Sequence, residues 1–86
     1  MNKDAYLTTA ANPAFWLGVA TVRKEESLLA QSRGDTMRLV YNDTLHTLAN
    51  TVHHELLNNT PLRDIKTFQS YMSMTSLGLL KVRVNE

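Results

Sequence analysis

The sequence predicts a small, mainly α-helical domain of three helices, followed by a short extended or β-strand segment. Three observations support this fold class. Apolar residues recur at intervals of three and four across residues 35–58, two X-Pro pairs mark helix starts, and 86 residues fit a single small domain. The predicted helices occupy residues 13–32, 35–58 and 61–73, and the extended segment occupies residues 79–84.

The first helix is predicted to start at Asn12-Pro13, because asparagine is a favoured N-cap and proline fits the first helical position. Residues 1–11 precede it as a possible flexible arm. Its predicted apolar side consists of Phe15, Val19, Val22 and Leu29, with Trp16 and Ala30 at the flank.

Glu26 falls in the middle of that apolar side. Either the side chain reaches solvent, or it is a buried carboxylate paired with Arg38 on the next helix. We favour the solvent-exposed alternative, because acidic side chains are seldom fully buried unless they are paired.

The central helix is predicted to begin just after Gly34, a residue suited to end the preceding helix, with Asp35 or Thr36 as its cap. One apolar stripe runs along it and predicts the face that packs on the other helices. The residues of this stripe are Met37, Tyr41, Leu45, Leu48, Val52 and Leu56.

The third helix is predicted to start at Thr60-Pro61, with apolar residues at Leu62, Ile65, Phe68 and Met72. In the tail, residues 77–86, the spacing of the apolar residues changes from three or four to two. Leu80, Val82 and Val84 alternate with basic residues, a pattern typical of a strand. This segment would pair with the N-terminal arm, a second copy or a partner's sheet edge, or stay unpaired.

Composition limits the function. Nine basic and eight acidic side chains make nucleic acid an unlikely partner and give a poor electrostatic footprint for a membrane surface or an acidic ligand. The absence of cysteine excludes disulfides and thiolate metal sites. Residues 14–22, the one candidate targeting stretch, are too few to span a bilayer and have the wrong flanks for a secretion signal. We therefore expect a cytoplasmic protein.

No catalytic motif or cofactor-binding loop is recognisable. The stretch beginning at His54-Glu55 resembles the zinc motif H-E-x-x-H, but Asn58 stands where the second histidine would be needed. His46 and His53 are two helical turns apart, too far to bind one ion within a single chain. We expect no enzyme activity, no metal and no cofactor.

A degenerate helix-turn-helix at about residues 26–45 is the alternative. Ala30, Gly34 and Val40 have the spacing of that motif's turn, and Arg38 and Asn42 would be its DNA contacts. However, charged residues occupy the flanking positions that should be apolar, and no basic patch supports the interpretation.

A second face of the central helix is a candidate interface. Leu39 and Leu57 lie close to the same line as His46, Asn50 and His53, opposite the predicted core stripe. Chance is the simpler explanation, since isolated exposed leucines are common. The alternative is a self-complementary surface, on which two antiparallel copies would form a homodimer.

Together these patterns predict a non-enzymatic protein-protein interaction module: a small regulator, adaptor or chaperone-like protein that binds itself and another protein. The candidate contact regions are residues 39–57 of the central helix and the tail at residues 79–84.

Overall fold

The computed structural model describes residues 8–75, and its helices confirm the mainly α-helical class. Helix α1 spans Pro13–Ser32, α2 spans Thr36–Leu57 and α3 spans Lys66–Met74, with a 3-10 turn at Leu62–Asp64. The predicted segment at residues 79–84 lies outside the described residues.

The predicted N-terminal caps of the first two helices are confirmed. The Asn12 side chain accepts a 3.0 Å hydrogen bond from the backbone N–H of Ala14, and Pro13 opens α1. The Asp35 carboxylate accepts a 3.2 Å bond from the backbone N–H of Arg38. Each cap satisfies a donor that has no partner within the helix.

Both long helices end in the same hydrogen-bonding arrangement, the Schellman motif. After α1, Gly34 has φ +71° and the Asp35 N–H donates to the Ala30 carbonyl at 2.9 Å. After α2, Asn59 has φ 66° and the Thr60 N–H donates to the Glu55 carbonyl at 3.0 Å. Left-handed residues at these positions let the chain reverse sharply.

The prediction of one continuous third helix over residues 61–73 is wrong. Pro61 is followed by the 3-10 turn, and Ile65 is extended with φ −88° and ψ 107° before α3 begins at Lys66. At this break the Ile65 side chain is completely buried in the core. The regular spacing of apolar residues in the sequence did not indicate the break.

Helices α1 and α2 form an antiparallel hairpin whose register is fixed by two histidines. The Nδ1–H of His46 donates to the Ala20 carbonyl, and the Nδ1–H of His53 donates to the Pro13 carbonyl, each at 2.8 Å. His46 and His53 are seven residues apart, and so are their acceptors, Ala20 and Pro13. The later histidine bonds to the earlier acceptor, as expected for antiparallel helices. Because a carbonyl only accepts, each ring carries its hydrogen on Nδ1.

Half of the buried residues on α1 and α2 are alanine or serine. The buried positions are Trp16, Ala20, Ser27 and Ala30 on α1, and Asn42, Leu45, Ala49 and Val52 on α2. Alanine and serine bring little bulk to a contact between helices, and the distance between helices depends on the side chains there.

The predicted core faces of both helices are therefore wrong at several positions. Met37 is 86% exposed, and Val22, Leu29 and Tyr41 are exposed as well. The sequence argument counted large apolar side chains. Buried alanines instead form part of the contact between α1 and α2. Each helix is therefore rotated about its axis relative to the prediction, and part of its apolar stripe lies next to the contact rather than in it.

Trp16 connects α1 to α3 and to the turn that precedes α1. Its ring makes edge contacts with Phe15, Phe68 and Tyr71, at centroid distances of 5.4, 5.7 and 5.1 Å. Its indole N–H donates to the Ala10 carbonyl at 2.6 Å. A completely buried indole thus connects α1, α3 and the turn that precedes α1.

Replacing His46 by phenylalanine should lower the free energy of unfolding by about 0.5–1.5 kcal/mol, because one hydrogen bond to the α1 backbone is lost. His54 is exposed and its side chain makes no hydrogen bond within residues 8–75, so His54→Phe provides the control. Urea unfolding of both variants measures the difference. Equal stabilities would contradict the register described here.

Candidate binding groove

Helix α3 is too short to cover the hairpin. Its nine residues extend roughly 14 Å, against about 30 Å for the 20 residues of α1. Trp16 and Arg23 of α1 and Tyr41 of α2 contact α3 or its end. Within residues 8–75, part of the apolar flank of both long helices is left open.

A groove of about 980 Å³ occupies this position. One wall belongs to α1, the other to α2, and Tyr71 of α3 closes one side. The lining residues are Ala14, Phe15, Gly18, Val19, Val22, Arg23, Glu26, Arg38, Tyr41, Asn42 and Tyr71. Most of these side chains are aromatic, aliphatic or small, so the groove is mainly apolar.

Arg23 is the polar centre of the groove. Its Nε–H donates to the Tyr71 hydroxyl at 3.0 Å, and its Nη1 donates to the Asn42 side-chain oxygen at 3.1 Å. Asn42 is itself held by a 3.0 Å bond from its Nδ2 to the Arg38 carbonyl. The guanidinium carbon also lies 5.7 Å from the Tyr71 ring centroid. One cation is thus fixed by residues from α2 and α3.

Two further charged residues line the groove. Glu26 is exposed, which confirms the solvent-exposed alternative over the buried one. Arg38 does not pair with it, because the Arg38 Nε lies 3.5 Å from a carboxylate oxygen of Asp35. Both side chains of that pair are largely or partly exposed, so the interaction stabilises little.

Gly18 lies on the α1 wall, and the described fold does not require a glycine there. A Cβ added at this position would meet no atom within 4 Å. Glycine in a helix interior costs about 0.5–1 kcal/mol relative to alanine. Its effect on the surface is to leave the α1 backbone open to a close approach from the groove.

The histidines do not lie where the sequence analysis expected them. His46 and His53 were predicted to face away from the core, but both rings are half-buried against α1 and bonded to its backbone. The prediction that they share an exposed strip is wrong. The buried face of α2 is rotated towards these histidines relative to the predicted face. His46 and His53 therefore lie at its edge.

The other members of that predicted face differ in exposure. Leu57 and Asn50 are exposed, whereas Leu39 is half-buried. The tail residues Leu80, Val82 and Val84, predicted as a second contact region, lie outside residues 8–75.

The residues predicted for DNA recognition are also placed differently. Asn42 is buried, and both ends of its amide are bonded within the chain. Arg38 is exposed but bonded to Asp35. A helix-turn-helix has two steeply crossing helices, whereas α1 and α2 run antiparallel along their length. The alternative of a motif at residues 26–45 loses its structural basis.

Arg23 and Tyr71, which both line the groove, were not predicted from the sequence. A tertiary contact joins residues 48 positions apart in the chain, and no local spacing reveals it. One signal was present: the apolar stripes of the first two helices are much longer than the third helix that covers them.

Comparison with known proteins gives no relative: no protein-family model, curated protein or solved structure matches this chain. Among residues 8–75, no group of three or more His, Asp or Glu side chains is arranged to bind a metal ion. In the same range, no helix combines the length and apolarity needed to cross a membrane.

Replacing Gly18 by alanine should raise the free energy of unfolding by about 0.5–1 kcal/mol, since the added methyl meets open space in a helix. Gly34→Ala is the matched control and should be destabilising, because Gly34 has φ +71°. Thermal and urea unfolding of the two variants test this. Destabilisation by Gly18→Ala would mean that the wall is not open as described.

Proposed function

We propose that this chain is a non-enzymatic protein-binding module of the cytoplasm, an adaptor, regulator or chaperone-like protein. Its groove would hold an apolar segment of another protein. The observation that carries the proposal is the groove itself, an apolar surface left between two long helices by a short third one. Exposed apolar patches rimmed by polar residues mark interaction sites.

The composition of the groove supports a protein ligand. Phe15, Tyr41, Tyr71 and Arg23 belong to the residue types enriched at protein interfaces, where aromatic side chains and arginine contribute most of the binding energy. Ala14 and Glu26 mark the ends of the α1 wall. They are about 18 Å apart along the helix, which is the length of roughly three helical turns of a ligand.

The proposal commits to a different protein and not to a second copy. A two-fold contact at this groove would bring the Arg23 cations of both copies into the same interface. Like charges brought together in this way oppose association unless the Glu26 carboxylate of each copy pairs with the other copy's Arg23. The homodimer predicted from the sequence rested on Leu39, His46, Asn50, His53 and Leu57, and the Nδ1 of each of these two histidines is bonded to α1 of the same chain. Residues 79–84 stay a proposed second contact region.

The test uses two matched variants on α1. Val22 lines the groove and is 55% exposed, whereas Leu28 is 52% exposed and lies outside the lining. A glutamate at either position should leave the fold intact. Val22→Glu should weaken partner binding at least ~10-fold by placing a charge in an apolar contact, and Leu28→Glu should not.

The measurement is affinity capture with the wild-type chain and both variants as baits, followed by titration of the purified partner. Loss of binding in Val22→Glu alone supports the groove. Equal binding by both variants, or no partner for any bait, contradicts the proposal. A dimeric mass in light scattering that only Val22→Glu reduces would assign the groove to a second copy instead.

A further inference from the structure

We infer that Arg23 recognises a carboxylate on the segment that occupies the groove, so the ligand is an apolar peptide carrying an aspartate or glutamate. This inference rests on the proposed function and names the chemistry of the partner. It starts from the hydrogen-bonding capacity of the Arg23 guanidinium. An arginine side chain has five N–H donors and cannot accept.

Only part of that capacity is used. The Nε–H is bonded to Tyr71 and one Nη1 hydrogen to Asn42, which leaves three N–H groups on Nη1 and Nη2. In residues 8–75 the two ion pairs are Lys24 with Asp43 and Arg38 with Asp35, so no carboxylate there lies within ion-pair distance of Arg23. Arg23 is half-buried, so its charged group is partly removed from water.

The neighbours hold the guanidinium in place before any ligand arrives. Tyr71 and Asn42 each fix one edge of the planar group, and Asn42 is fixed in turn by the Arg38 carbonyl. A ligand therefore meets a cation whose side chain is already ordered, which lowers the entropic cost of binding. A planar fork of N–H groups matches a carboxylate, and the apolar walls strengthen the interaction by excluding water.

Charge balance favours a carboxylate over a phosphate. Glu26 lines the same groove and makes no ion pair with any of residues 8–75, and Arg38 is already bonded to Asp35. The groove therefore offers the Arg23 cation to a ligand, with the Glu26 carboxylate nearby. This arrangement suits a ligand group that carries a single negative charge. A phosphorylated side chain would bring a charge of about −1.5 to −2 next to Glu26.

The test begins with a displayed library of random 12-residue peptides selected on the full chain. Enriched peptides should combine apolar residues with at least one Asp or Glu. The best peptide is then synthesised together with its Asp→Asn or Glu→Gln version. Binding is followed by the fluorescence of Trp16, the single tryptophan, whose ring contacts Phe15 and Tyr71 of the groove.

The affinities of both peptides are compared on four proteins: the wild type, Arg23→Gln, Arg23→Lys and the control Arg63→Gln, whose side chain is exposed outside the groove. Removing the peptide carboxylate should weaken binding to the wild type roughly 10-fold or more, while Arg23→Gln should bind both peptides equally weakly. The affinity of Arg23→Lys for the acidic peptide should lie between those of the wild type and Arg23→Gln, because lysine keeps the charge but lacks the planar set of N–H donors. Arg63→Gln should match the wild type.

The outcomes separate the two proposals. If both peptides bind the wild type equally but Val22→Glu abolishes binding, the groove is a peptide site and the carboxylate inference is overturned. If no peptide is enriched, or if Val22→Glu has no effect, both proposals fail. Should Arg23→Gln not fold, the peptide pair on the wild-type chain still decides the question.

Discussion

Close contact between α1 and α2 is the constraint on which the rest of this structure depends. Alanine and serine lie at the contact, so the two backbones approach closely enough for His46 and His53 to reach carbonyls of α1. This contact also sets the rotation of each helix about its axis. Large apolar side chains such as Val22 and Tyr41 are thereby moved from the core to its flank. A helix as short as α3 covers only some of them, and within residues 8–75 the groove is the part left uncovered.

The same geometry explains why Arg23 is distinctive among the cations of the described region. Lys24, its neighbour in sequence, points outward and lies 3.9 Å from Asp43 in a largely exposed pair. Arg23 points between the helices, where Tyr71 and Asn42 accept its hydrogen bonds but offer no negative charge. Arg23 is a fixed cation in an apolar groove and has no ion-pair partner among residues 8–75. A complementary anion would gain charge-assisted hydrogen bonds to it at low entropic cost.

The helix boundaries were predictable because their signals are local. Asn12-Pro13, Gly34 and Asp35 each act through bonds to residues within five positions, and the first two helices begin and end within one residue of expectation. The break at Ile65 was not predictable, because the burial of that side chain compensates for an interrupted helix. Which face of each helix is buried was predicted only in part. That outcome depends on how near the helices come, and apolar periodicity treats alanine as a weaker signal than leucine or methionine.

The central claim is that ligands bind between α1, α2 and α3 around Arg23, and its most direct test is a pair of ¹⁵N–¹H NMR spectra of the full chain without and with a selected acidic peptide. The account predicts that the Arg23 Nε–H signal and the backbone amides of Gly18, Val22 and Tyr71 shift together on titration. Shifts confined to the opposite side of α1, around Leu17 and Leu28, would contradict it.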